Sequence, residues 1–476
     1  VSLFGASFYR KNRSSGAFTL GNRNIPGWVI SMSIFATFVS SISYLALPGI
    51  AYQSNWNAFV FSLTIPFAAL IAIRFFVPLY REVNSPSAYS YLEIRFGPWA
   101  RIYASLCYLL TQLMRVGTIL YLLALTLHAV FGWNMALIIV LTGLIIMVYS
   151  MLGGLQAVVW TDAIQGILLI CGAVITVVFI LTGMPEGPGQ VLQIAGEQGK
   201  FSLGSLSLDL SSSTFWVVLV YGLFINLQNF GIDQNYIQRY MASRSDRAAK
   251  RSALSGGLLY IPVSLLFLFI GTALFSYYQS GAAILPEALK AADSGDQIFP
   301  HFIVTRLPAG VGGLLIASIF AAGMSTISTS FNSSATVFLA DYYRKFSNRA
   351  QGEKESMKVL YLSSVVISVL GILIALAMIN VKSALDAWWK LASIFSGGML
   401  GLFLLGAFSR ISKSRGAVIG VILGIAVIGW MSLSSLTDDP SRYGNIFHAY
   451  LTIVFGTLTI FMAGFLVSYL SGRSKA

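Results

Sequence analysis

The hydropathic pattern of the chain is a series of long apolar runs separated by short polar loops. Most runs reach the roughly 20 residues that a helix needs to cross a bilayer. In order they predict spans at about 25–48, 56–80, 100–131, 135–151, 155–182 and 214–241, then a seventh ending near Tyr278. The rest lie at about 314–343, 358–379, 384–408, 416–436 and 446–470. An apolar stub, Val1 to Tyr9, precedes them and reads as the end of one further helix whose start is missing. The expected class is an all-α polytopic membrane protein with about 13 transmembrane helices.

The eighth run departs most from a lipid-facing rod. Ser325, Ser328, Thr329, Asn332 and Ser333 recur at helical spacing and share one side, next to Ala322 and Thr326. Small hydroxylated residues let helices approach closely in membranes. A column of oxygens also suits a dehydrated hard cation, and the eighth run alone does not separate these two readings. Other runs carry polar intrusions too. The first has Ser40, Ser41 and Ser43 ahead of Pro48-Gly49, which should end it. The third has Arg115 near its middle beside Thr111, Gln112 and Thr118; such an arginine marks a functional site, and its fork suits a carboxylate. The fifth has Asp162 two turns in, whose partner should be Arg115, a lysine or a bound cation. In the sixth, Asn226, Gln228, Asn229, Asp233, Gln234 and Asn235 crowd around Gly231, which predicts a discontinuous helix lining a cavity.

Composition narrows the class. Of 476 residues, 56% are hydrophobic and 10% charged, which excludes a soluble enzyme. The net charge of +13 sits in loops between spans, where it orients a membrane protein rather than binding nucleic acid. Cys107 and Cys171 lie within apolar runs, and His128, His301 and His448 are scattered without metal-ligand spacing. No ATP-binding loop, clustered nucleophile and base, or cleavable signal peptide is visible, so an enzyme is not expected. A channel would need rings of charge or subunit symmetry around a pore. Broken helices favour a carrier, coupled to sodium or, through Asp162, to protons.

Loops after the stub and after the second, sixth, eighth and tenth spans are rich in Arg and Lys; the others are neutral or contain acids. The basic set should be cytoplasmic, with the C-terminus also cytoplasmic, in a plasma (inner) membrane. The first and sixth spans then cross in opposite directions, and each opens a five-helix block. The expected organisation is residues 1–24 as a helix end and cytoplasmic loop, 25–183 as one repeat, and 184–213 as an external loop. Residues 214–411 form the second, inverted repeat, and 412–476 two peripheral helices and a tail. Substrate and ion sites should lie at the two breaks.

Three segments carry a resemblance: GGLQAVVWTDAIQ (Gly153 to Gln165), DQNYIQRY (Asp233 to Tyr240) and AAGMSTISTSFNSSATVF (Ala321 to Phe338). They resemble the sodium:solute symporter family, which spans sodium–galactose, sodium–sialic acid and vertebrate sodium–glucose, iodide and monocarboxylate transporters. The resemblance implies a LeuT-type inverted repeat of two five-helix blocks plus flanking helices. It implies a first sodium at Ala36, Val39, Ala322, Ser325 and Thr326, using backbone carbonyls that a regular helix would consume. It implies a second sodium at Asp162, Ser325, Ser328 and Thr329, as in the sialic acid branch. Arg115 stands where that branch grips a substrate carboxylate, and Ser40 and Ser43 match its hydroxyls. At Phe38, Ala58 and Ser62 the chain departs from that branch, which has Thr, Phe and Gln there. Asn226 is shared with the sugar branch, whose gating Tyr is Asn229 here. With Gln228 these complete the expected substrate contacts. The expected partners are therefore two sodium ions, a small carboxylate such as sialic acid, and the lipid bilayer. A neutral sugar is the alternative substrate, and the protein is expected to act as a monomer.

Overall fold

The computed structural model describes residues 2–8, 12–39, 41–290, 294–347, 352–380, 384–435 and 444–473. These residues are helical apart from connecting loops and one isolated bridge pair, Ile25 with Ser243.

The first span is two helices, Gly27–Phe38 and Ser41–Gln53, whose axes differ by 50°. Val39 between them is extended at φ −84°, ψ 110°. Ser40 lies outside the described residues. The expected stop at Pro48-Gly49 does not occur: Pro48 sits inside the second helix, which continues to Gln53. Its backbone there lies so close to the seventh span that a Cβ on Gly271 would collide with the Pro48 carbonyl.

The fourth and fifth spans form one helical stretch of 48 residues, Met135–Thr182, interrupted at Gly154. At 1.5 Å per residue this is about 72 Å, more than twice the bilayer core, so the stretch makes two crossings. Gly154 turns between them at φ 57°, ψ −159°, a conformation that L residues avoid.

The sixth span also breaks, into Phe215–Ile232 and Gln234–Ala242. The interruption falls at Asp233 (φ −76°, ψ 121°), two residues past the expected glycine. Asp233 can cap the second piece, and its side chain accepts from the Asn235 N–H at 2.7 Å. The seventh span is Asp246–Gln279. The stretch after it contains a helix, Gly295–Arg306, that buries Ile298, Phe299, Phe302 and Ile303 and packs on the second helix of the first span.

The eighth span runs Ala309–Val337, and every residue from Ser325 to Val337 is buried. It has no lipid face there and forms the centre of the bundle. The tenth, eleventh and twelfth spans, Ala384–Phe408, Ser414–Ser435 and Thr452–Arg473, pack on one another at one side.

Candidate functional site

Where the first span ends its inner helix, it meets the eighth. The last carbonyls of a helix have no partner within it. Ala36 and Val39 are buried at this end, and Ala322, Ser325 and Thr326 of the eighth span are equally buried. The Thr326 hydroxyl donates to its own helix at the Ala322 carbonyl, at 3.3 Å. Ser325 instead donates across to Asp162 Oδ1 at 2.7 Å. The structure thus places the Ser325 and Thr326 hydroxyls in the protein interior, not toward lipid.

Asp162 has a partner outside the expected candidates. Arg239, on the inner helix of the sixth span, places Nη2 2.7 Å from Asp162 Oδ2, and both side chains are wholly buried. Ser33 of the first span donates to the same oxygen at 2.5 Å, and Arg239 Nε donates to Ser33 at 2.7 Å. Arg239 also donates to Thr329 Oγ1 at 2.8 Å and to the Asn235 carbonyl at 2.6 Å. Nothing in the local hydropathy singles out Arg239; the one signal is an arginine closing an amide-rich run. Ser328 donates back to the Ser325 carbonyl at 3.0 Å. One site therefore joins the first, fifth, sixth and eighth spans.

Below this level the hydroxyl column serves another purpose. Gln238 donates to Asn332 Oδ1 and Thr336 Oγ1, both at 3.0 Å. The Tyr108 hydroxyl of the third span lies within hydrogen-bond distance of Ser333 Oγ, at 2.7 Å, and of Asn235 Oδ1, at 2.9 Å. The inner helix of the sixth span is thus laced to the lower half of the eighth by side-chain hydrogen bonds.

Beside the break of the first span lies a cavity of about 130 Å³. Of the residues named for substrate contact, Arg115, Ser43, Gln228 and Asn229 line it, joined by Thr111, Gln112 and Asp233. Arg115 donates through Nη2 to the Thr37 carbonyl at 3.0 Å, so it touches the end of the broken helix. Phe38 forms an aromatic side, its ring 5.0 to 5.2 Å from those of Phe230, Tyr236 and Tyr260. Ala58 and Ser62 are also in the lining, and Ser264 donates to Ser62 at 2.9 Å. Asn226 is elsewhere. It is fully buried and donates to the Phe61 carbonyl at 3.1 Å and Thr64 Oγ1 at 2.9 Å, tying the sixth span to the second. Ala58, Phe61 and Tyr221 also border a vestibule of about 370 Å³ that reaches Asn55, Asn57 and Ser205, on the face opposite the basic loops.

A break with buried carbonyls, hydroxyls opposite it, and an arginine in the adjoining cavity is the arrangement of an ion-coupled carrier. The family model of the sodium:solute symporter family matches residues 18–424. The chain belongs to the sodium:solute symporter family. This symporter is 33% identical to the sodium/sialic acid symporter SiaT of Proteus mirabilis, over 99% of its own length and 93% of that protein's. It is 32% identical to the sodium/sialic acid symporter NanT of Aliivibrio fischeri, over 96% and 90%. Human sodium-coupled monocarboxylate transporter 1 is 27% identical over 90% of this chain and 70% of its own. Among solved structures, a substrate-bound, outward-open Na+-coupled sialic acid symporter aligns with TM-score 0.90 and 31% identity, covering 98% of this chain and 95% of that one. The transporter Mhp1 shares the fold, with TM-score 0.59 at 15% identity over 96% and 94%. The protein is a sodium-coupled symporter and not an enzyme.

Proposed function

We propose that this symporter imports a small organic anion, sialic acid or a related carboxylate, and draws on two sodium ions moving inward. The observation that carries this reading is Arg115: it lines the cavity and bonds the end of the broken first span, so substrate and ion sites adjoin. A guanidinium there offers a fork to a carboxylate, with Ser43, Gln228 and Asn229 around it.

The first sodium is assigned to the carbonyls of Ala36, Val39 and Ala322 with the hydroxyls of Ser325 and Thr326. The donor set is oxygen only and buried, which suits a hard alkali cation, and unwound carbonyls are where such ions bind in carriers. The second is assigned to Asp162, Ser325, Ser328 and Thr329. It would share Asp162 with Arg239, so its affinity is set by competition with a guanidinium already in place. Neutral pairing of Asp162 with Arg239 keeps the site stable between visits of the ion.

The vestibule on the face opposite the basic loops supports an outward-facing arrangement, with the basic loops and C-terminus cytoplasmic in the plasma (inner) membrane. In this reading thirteen helices cross it, and one chain suffices for transport. Sodium steadies the broken span and so completes the substrate cavity. Inward opening must unlace Asn235, Gln238 and Arg239 from the eighth span, after which sodium leaves and substrate affinity falls. Two sodium ions and one monoanion carry one net positive charge, worth about 2.3 kcal/mol per 100 mV. Coupling is reciprocal: sodium tightens substrate and substrate tightens sodium by the same factor.

Binding of sialic acids, monocarboxylates and neutral sugars, each with sodium and with potassium, tests this. Arg115→Ala should abolish anion binding and leave any neutral ligand unaffected. Equal anion affinity in the variant and the parent would remove the carboxylate assignment.

A further inference from the structure

The bundle carries a charged groove that neither the substrate nor the sodium assignment uses. It lies where the inner helix of the first span meets the start of the seventh, and its volume is about 390 Å³. Trp28, Ser31, Arg247, Arg251, Ser252 and Ser255 are in its lining. Hydrogen bonds between the two helices close its floor. Ser252 donates to the Gly27 carbonyl at 2.9 Å, and the hydroxyls of Ser31 and Ser255 lie 2.8 Å apart. Just past Ser255 the helices touch: a Cβ on Gly256 would come within 2.6 Å of the Ser31 carbonyl.

The charge over this floor is not balanced within the chain. From Arg244 to Arg251 there are four cations and one acid, Asp246. Asp246 pairs with Arg81, and Arg244 donates to the Asn24 carbonyl at 3.3 Å. Arg247 and Arg251 are exposed, and among the described residues neither takes part in an ion pair. Exposed arginines by themselves are an ordinary solvated face; their level on the bundle sets these two apart. The Gly27–Ser252 bond puts Trp28 beside Arg251. Trp28 is 57% exposed, with its ring edge-on to Trp160 of the fifth span at 5.7 Å. Tryptophan gathers at the headgroup level of a bilayer, so the groove opens among headgroups. Leu258 and Leu265 follow Arg251 at seven and fourteen residues, on the same face of the seventh span, and both are exposed. That face runs from cationic to apolar in the order in which a phospholipid runs from phosphate to acyl chain.

We propose that this groove binds the headgroup of an anionic phospholipid from the leaflet on the side of the basic loops. The guanidinium forks of Arg247 and Arg251 meet its phosphate oxygens. Phosphatidylcholine has the same phosphate with a cation beside it, which four neighbouring positive charges repel. A soluble phosphate would gain the forks but nothing from Trp28 or the leucines. A headgroup held here touches both helices, so lipid binding is tied to the packing of the first span's inner helix on the seventh.

The test is native mass spectrometry of the full chain from detergent micelles, titrated with phosphatidylglycerol or with phosphatidylcholine of the same acyl chains. The parent should retain one phosphatidylglycerol more tightly than any phosphatidylcholine; equal retention overturns the proposal. Arg247→Gln combined with Arg251→Gln should weaken that first lipid about thirtyfold. Ser255→Phe, which fills the groove and leaves the charge unchanged, should weaken it about tenfold. Arg410→Gln combined with Arg415→Gln removes the same charge from another exposed loop and should leave the first lipid at parent affinity. Equal losses in the two arginine pairs, or parent-like binding in Ser255→Phe, would mean diffuse attraction to a basic surface and overturn the site. Displacement of the lipid by an equal concentration of inorganic phosphate would assign the groove to a soluble anion and overturn it too. Each variant is checked for an intact bundle by its melting temperature in nanodiscs and by the sodium concentration that half-saturates the rise in it. If the groove arginine pair fails that check, Ser255→Phe alone decides.

Discussion

Val39 in the first span and Asp233 in the sixth adopt nearly the same backbone conformation, and each separates two helices. Their surroundings differ. At the sixth-span break the carbonyls of Phe230, Gly231 and Ile232 each meet a protein donor. Tyr240 donates to Phe230 at 3.1 Å, Tyr80 to Gly231 at 2.7 Å and Tyr89 to Ile232 at 3.5 Å, while the Asp233 N–H bonds the Gln228 carbonyl at 3.1 Å. At the first-span break, among the described residues, Arg115 alone brings a side-chain donor to the end of the helix, on Thr37. Opposite Ala36 and Val39 stand hydroxyls and small residues instead. An interruption in a membrane helix is therefore not in itself an ion site. Tyrosines seal one break, beside which Gln228, Asn229 and Asp233 line the cavity. The other is where the first sodium is proposed to bind.

This contrast can be broken at several places. The largest effect is expected at Arg239, which joins the inner half of the sixth span to Ser33, just before the first break. Arg239→Ala leaves Asp162 charged and buried without its partner, which costs about 3–5 kcal/mol. A melting temperature within two or three degrees of the parent protein would show that the pair holds nothing together.

A matched pair of variants probes the two breaks directly. Tyr80→Phe strips the donor from the Gly231 carbonyl and should cost about 1–3 kcal/mol of stability, with sodium half-saturation unchanged. Thr326→Ala removes a hydroxyl bonded only loosely to its own helix, so sodium-free stability should stay within about 1 kcal/mol of the parent. Its sodium half-saturation should rise. Exchange of these two outcomes would mean that the sixth break, not the first, receives the ion.

The smallest effect is expected far from both breaks. Lys345 and Arg101 bond Glu93, between the second and third spans, and hold its carboxyl below the ordinary value of 4.5. A depressed folded-state pKa contributes stability above that value, and the contribution fades as pH falls through the depressed one. Melting temperature should therefore drop on the acid side, and Glu93→Gln should flatten part of that drop. Sodium affinity should be unaffected by the substitution at neutral pH.

Much of the architecture was legible along the chain, and for a reason particular to membranes. Lipid offers no hydrogen bonds, so each crossing must satisfy its own backbone, and a departure shows as polar density inside an apolar run. That is how the hydroxyls of the eighth span, Asp162 and the amides of the sixth announced themselves. Helical spacing also placed Ser325, Ser328 and Thr329 on one side before any neighbour was known. What periodicity does not carry is which side chain on another helix each one meets. Asp162 pairs with Arg239, 77 residues away, rather than with Arg115. Asn226 turns to the second span instead of the cavity. The tyrosines that seal one break come from the second span, the segment after it and the sixth span itself. Those choices depend on the rotation and depth of helices distant in sequence. Only the packed bundle decides them, because a buried polar atom must find its partner among whatever side chains the neighbouring helices bring to its level.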